Sequence, residues 1–137
     1  MSRRLFLILA AAAALVLATT WPRINDVETG RTPEYPDLRP REYSASEAAV
    51  FKQAKDAVSR LPHWSLAGAG SGPTGSEVQA VHATLPGFKD NVTLRIRREA
   101  GRSRVSIRSR SRVGSWDFGQ NARNIRELQA ELDRVLR

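Results

Sequence analysis

The sequence predicts an α+β fold: a four-stranded antiparallel sheet with two helices packed on one face, in two layers, preceded by an N-terminal apolar helix and an extended arm. Three observations lead there. Apolar residues alternate with period two through the middle of the chain, they recur with helical spacing on both sides of that region, and each helical stripe forms a single face that needs a cover. With 137 residues, 41% of them hydrophobic and 26% charged, the chain has room for one packed domain.

The first element is the apolar run Leu5 to Ala18, uncharged and preceded by Arg3 and Arg4. Fourteen residues rise roughly 21 Å, short of a ~30 Å hydrocarbon core, whereas counting through Trp21 brings the run to the lower edge of a spanning helix. Residues 1–21 therefore read as an export signal or a membrane anchor. Val16 and Ala18 suit a cleavage site, while Trp21 suits the outer end of an anchor. Either way, Arg3 and Arg4 stay inside and the remainder lies outside the cytoplasm. The expected location is the cell envelope, anchored in the inner membrane, with secretion after cleavage as the alternative.

Residues 22–43 carry four prolines and no apolar period, which predicts an extended arm. Its carboxylates, Asp26, Glu28, Glu34, Asp37 and Glu42, can lie across a basic surface. The single domain then spans 44–137. Ser44 and Glu47 have capping-box spacing, and Val50, Phe51, Ala54, Val58 and Leu61 share one face before Pro62, which predicts the first domain helix.

Trp64 and Leu66 alternate as in a short strand, and the Gly/Ser/Pro cluster that follows reads as a loose turn. A second strand is expected over 77–85 and a turn at "PGFKDN". The third strand places Val92, Leu94 and Ile96 on one side, and the fourth places Val105, Ile107, Ser109, Ser111 and Val113 on one side with Arg104, Ser106, Arg108, Arg110 and Arg112 on the other. With Ala100 and Gly101 at the tip, Ile96 faces Val105, Leu94 faces Ile107 and Val92 faces Ser109. A one-residue slip would turn one apolar side to water, so this register is the expected one. Ile125, Leu128, Leu132, Val135 and Leu136 form the stripe of the last helix, with Asn121 or Asp117 suited to cap its exposed donors.

There is no cysteine, which excludes disulfides, thiolate metal sites and attachment of lipid through an N-terminal cysteine. The formal charge is +8, carried mostly by arginine. In an exported chain the basic residues meet little nucleic acid, no stacking aromatics interleave with them, and no helix-turn-helix or RNA-binding signature accompanies them. Nucleic acid is therefore disfavoured as a partner.

The segment "VSIRSRSRVGSWDFGQNARNI" resembles a bacterial family known as domain of unknown function 1499. The resemblance rests on Arg108, Ser109, Ser111, Arg112, Gly114, Asp117, Gly119 and Asn121, on Phe88 and Asp90 in the preceding turn, and on Asn25 and Asp26. It spans roughly residues 23–136. Asn91 and Asn124 depart from it, standing where the family more often has an aspartate and an arginine. The resemblance implies an N-terminal membrane segment in many members and no assigned reaction.

Two readings of function follow. In the first, Arg95, Arg97, Arg104, Arg108, Arg110 and Arg112 share one sheet surface, with Arg97 opposite Arg104, a like-charge pair that calls for something anionic. That surface predicts a non-catalytic binding or accessory module for an anionic membrane surface, a glycan or an acidic envelope protein, unless the carboxylates of the arm or Asp90 and Asp117 neutralise it. The alternative is a small envelope hydrolase using His82 with Asp90 or Asp117, although neither His63 nor His82 sits in a nucleophile-elbow or metal-ligand pattern. A purely structural assembly partner is a third class. No cofactor or metal is expected, and no phosphate-cradling loop is present, since no lysine follows "GAGSGPTG".

Overall fold

The computed structural model describes residues 1–84 and 87–137; Leu85, expected to end the second strand, and Pro86 of the following turn lie outside the described residues. Nine elements follow one another: α1 (Arg3–Thr20), β1 (Asp26–Glu28), β2 (Arg41–Tyr43), α2 (Glu47–Arg60), β3 (Trp64–Gly72), β4 (Gly75–Thr84), β5 (Phe88–Glu99), β6 (Arg102–Ser111) and α3 (Gln120–Leu136). The fold is α+β, and all strand pairs are antiparallel.

The β5–β6 hairpin is the centre of the sheet, and its register is the one the alternation demands. Ile96 pairs with Val105, Leu94 with Ile107 and Val92 with Ser109, and these residues point into the core. α2 and α3 close over that face: Val50, Ala54, Ala57 and Val58 come from α2, and Ile125, Leu128 and Leu132 from α3. Each valine, isoleucine and leucine among them contributes about 1.5–3 kcal/mol when fully buried. The opposite face carries the alternate arginines and has no helix over it, as an antiparallel sheet permits.

The sheet has six strands, not the expected four. The arm supplies β1 and β2, both paired to β6, so the order across the sheet is β1-β6-β5-β4-β3 with β2 also on β6. Between β1 and β2 the chain stays fastened to the domain, because Thr29 N donates to Ile107 O at 3.0 Å while Ile107 N donates to Thr29 Oγ1 at 3.0 Å. Val27, Leu38 and Tyr43 are buried in the core. Prolines set the loop rather than free the segment: only short stretches are left for a ladder, and each was too brief to show a period.

Other differences have equally local causes. The glycine cluster expected as a loose turn is strand, with Gly68 to Gly72 paired to β4 from Gln79 back to Gly75 and a register shift between Leu66 and Gly68. Glycine lacks strand propensity, so the neighbour's ladder decides this conformation. The cap of α2 is Ser46, whose side chain accepts from Ala49 N, and not Ser44. Glu47 accepts instead from the Ser76 hydroxyl of β4 at 2.7 Å.

α1 is long and apolar enough to cross a membrane, and none of its residues is buried against the domain. Its end is held, however: Trp21 packs edge-on against Phe118 with ring centroids 6.4 Å apart.

The Thr29 pairing yields a test. Thr29→Val keeps the shape but leaves the buried Ile107 N–H without its acceptor, so unfolding free energy should drop by about 1–3 kcal/mol in a denaturant titration. An unchanged midpoint would mean the arm is not integral to the fold.

Candidate functional site

The sequence motif gathers at one end of the domain, where β6 hands over to α3. Asn121 stands in the first turn of α3, fully buried, and does not cap it. The residue preceding the helix is Gly119, at φ +79, and the helix donors are met by Asp117: Gly119 N reaches its Oδ1 at 2.8 Å and Asn121 N its Oδ2 at 3.2 Å. Of the two residues suited to cap this helix, Asp117 does so, which frees the Asn121 amide for tertiary contacts.

Those contacts form a buried polar network. Asn121 Nδ2 donates toward Asp117 Oδ2 at 2.7 Å, Ser111 Oγ at 2.8 Å and Asn25 O at 3.1 Å, and Asn121 Oδ1 accepts from the Ser109 hydroxyl at 2.7 Å. Asn124, one helical turn on, donates from Nδ2 to Asp90 Oδ2 at 2.8 Å and to Ser109 Oγ at 3.1 Å. Gln120 Nε2 donates to Asn124 Oδ1 at 2.8 Å. Asn25 in turn donates from Nδ2 to the Gly114 carbonyl. Asn25 and Asn124 were legible only as motif positions, and their chemistry came from the fold.

Asp90 and His82 face each other across β4 and β5 on the core side, with His82 Nδ1 3.8 Å from Asp90 Oδ2. Burial pushes the Asp90 carboxyl up, and donors from His82, Asn124 and Ser111 more than offset this, holding it below the ordinary 3.8. The imidazole packs against Trp64 at 4.9 Å between centroids. Asp90 lies between His82 and Ser111, so the carboxylate and not the imidazole neighbours the Ser111 hydroxyl, the reverse of a serine–histidine–aspartate order; the other hydroxyl lining the cleft, Thr84 Oγ1, lies 3.4 Å from His82 Nδ1. His63 is exposed at the end of α2, at φ 72. Among the described residues no cluster of acidic and histidine side chains could hold a metal.

Above the network opens a cleft of about 320 Å³, walled by Phe88, Val113, Trp116 and Phe118, with Asp90 and Ser111 among its polar lining. Trp116 and Phe118 stack at 4.5 Å, and Arg23 lies over the Trp116 ring at 4.5 Å. The Trp116 indole N–H is buried without a partner among the described residues.

The six arginines of the outer face divide into two sets. Arg108 forms a fork with Asp26 of β1, at 2.9 and 2.6 Å, and this pair holds the Asp26 carboxyl below its usual range. Arg95 lies 3.5 Å from Glu77, and Arg104 lies 3.7 Å from Glu42 and 3.8 Å from Glu99. Arg112 donates to Asn91 Oδ1 at 2.8 Å. Arg97, Arg110 and Arg112 have no carboxylate within 4.0 Å among the described residues. The arm therefore neutralises part of the face, through Asp26 and Glu42, while Asp90 and Asp117 take no part because both are tied into the network beneath.

Arg97 pairs with Arg104 in the sheet, as the register requires. Together with Arg95 and Glu99 they line a concavity of about 530 Å³, to whose lining the arm adds Arg31 and Glu28. Arg31 has no period or motif to mark it in the sequence.

Fold and site together define a small single-sheet α+β module behind an apolar N-terminal helix, with a basic outer face and a motif end built around buried amides. The chain belongs to the family described as "Protein of unknown function (DUF1499)", whose model matches residues 16–132. The family resembled by the motif is the family found. No curated protein and no solved structure matches the chain.

Two outcomes are expected from the network. Asn121→Ala leaves the buried Ser109 O–H without its acceptor and takes a donor from Asp117, Ser111 and the Asn25 carbonyl, which keeps only the Ser111 N–H, and should cost about 3 kcal/mol in chemical denaturation. The depressed Asp90 carboxyl adds stability that is complete well above the ordinary 3.8 and is lost as pH falls through its folded value. The stability gap between the native chain and Asp90→Asn should therefore narrow as pH is lowered from 5 to about 2; a gap constant with pH would place the Asp90 carboxyl at its ordinary value.

Proposed function

We propose that this chain is a membrane-tethered, non-catalytic binding module of the cell envelope, held by α1 with the domain outside the cytoplasm. Its outer sheet face takes an anionic group, phosphate or carboxylate, presented by an envelope partner. The observation that carries this reading is the pairing of Arg97 with Arg104 in a concavity that Arg31 and Arg95 also line, four guanidiniums against the two carboxylates Glu28 and Glu99, with Arg97 free of any carboxylate within 4.0 Å among the described residues. Like charges directly opposite one another on a sheet destabilise it, and a bound anion removes that cost.

Placement argues for a partner other than the anchoring bilayer. Asp90 lies at the motif end, beside the exit of α1, and Arg97 stands seven residues further along β5, about 23 Å away at strand spacing. The hydrolase alternative, with His82 acting through Asp90 or Asp117, draws less support from the geometry. His82 is buried against Trp64, and Asp117 is engaged by Gly119 and Asn121.

Calorimetric titration of the full chain with polyphosphate and, separately, polyglutamate tests the binding reading at low and physiological salt. Changing Arg97 and Arg104 together to Gln should weaken binding about tenfold or more, equivalent to about 1.4 kcal/mol. Arg108→Gln, whose guanidinium already serves Asp26, should change it by less than about threefold. If the native chain takes up neither probe at low salt, the reading fails.

A further inference from the structure

From Trp21 onward, among the described residues, four large hydrophobic side chains are exposed: Leu66, Phe88, Val113 and Phe118, at 44%, 55%, 60% and 41%. Three of the four, all but Leu66, line the cleft at the motif end. A grouping of this kind on an otherwise charged domain marks a contact surface. Its position identifies what is contacted. Trp21, the residue that ends α1, rests on Phe118, and a Cβ on Gly119 would lie 2.5 Å from the Trp21 ring. The apolar wall of the cleft and the end of α1 are therefore one continuous surface.

Cations surround that surface. Arg23 covers the Trp116 ring, Arg123 lies 5.9 Å from the Trp21 centroid and donates to the Phe118 carbonyl at 2.9 Å, and Lys89 and Arg123 line the cleft itself. The local carboxylates offer these cations little, since Asp90 and Asp117 already accept from Asn124, Gly119 and Asn121. Tryptophan and phenylalanine bordered by arginine and lysine is the side-chain chemistry of a membrane–water interface, where rings lie at headgroup level and guanidinium and ammonium groups meet phosphate.

We infer that the motif end docks on the outer surface of the phospholipid bilayer that α1 enters, with Phe88, Val113 and Phe118 among the acyl-chain ends and Arg23, Lys89 and Arg123 on lipid phosphate. This rests on the tethering through α1 proposed above. It gives the domain a fixed orientation: the cleft faces lipid, and the arginine concavity at the other end of β5 faces away from the membrane. Tethering makes a weak surface contact effective, because the domain never leaves the vicinity of the bilayer.

The absence of cysteine makes the test direct, since an introduced cysteine is a unique label site. The full chain, reconstituted in vesicles of phosphatidylcholine and phosphatidylglycerol, carries one fluorophore at a time through Leu9→Cys in α1, Val113→Cys in the cleft wall or Glu99→Cys at the far end of β5. Nitroxide-bearing lipid supplies the quencher. The expected result is loss of most emission from the Leu9 and Val113 labels and none from the Glu99 label, with Phe118→Asp restoring the Val113 emission. Quenching at Leu9 without quenching at Val113 would leave the anchor standing and overturn the docking. Quenching at neither would overturn both. A Val113 label shielded from water yet unquenched by the nitroxide would assign the cleft to a second copy of the chain or to a soluble apolar ligand, and would overturn the docking as well.

Discussion

The amide of Asn121 is the constraint on which the motif end depends. One side chain, buried in the first turn of α3, joins the fourth strand of the central meander through Ser109 and Ser111, the arm through the Asn25 carbonyl and the strand-to-helix turn through Asp117. A buried amide is stabilising only when its donors and acceptor are all met, so these four segments must arrive together. Serine at 109 and 111, where a larger apolar residue would otherwise fill the core, lets α3 approach β6 closely enough for those bonds. Asn124 repeats the arrangement one turn later and extends it through Asp90 toward His82.

This network also explains why the arm is part of the domain. Asn25 is held between Asn121, Ser111 and Gly114, and the chain then runs as β1 along the edge of β6. An uncovered β6 would present a row of free N–H and C=O groups, a template for unwanted pairing. The arm covers most of it in two short strands, and its carboxylates meet some of the arginines that alternate outward. The other edge, β3, is left open and is rich in glycine.

The consequence is a domain with two different ends. Near α1 the surface is aromatic and apolar above the hydrogen-bonded network of Asn121 and Asn124. Toward the β5–β6 tip it is cationic and lined in part by the arm. Because β5 and β6 run through both regions, a rigid sheet holds the two surfaces at a set distance, and that relation links the proposed anion site to the proposed membrane contact.

Much of this was legible in the residues. Strict alternation in 92–96 and 105–111 determined the hairpin register, since any slip exposes an apolar side, and the same alternation placed the arginines outward with Arg97 against Arg104. Helical spacing determined α2 and α3, and the uncharged run determined α1. Tertiary structure alone decided matters in which one local pattern had several possible partners. Ser44 and Ser46 both suit a cap, Asp117 and Asn121 both suit the start of α3, and glycine-rich or proline-broken segments become strand only when a neighbouring ladder offers its hydrogen bonds. Whether Asp26, Glu42, Asp90 or Asp117 neutralises the arginine face was likewise undecided by sequence, because that choice depends on which side of the sheet each carboxylate reaches. Periodicity encodes the face of an element, whereas hydrogen-bond partners distant in the chain are set only when the elements pack.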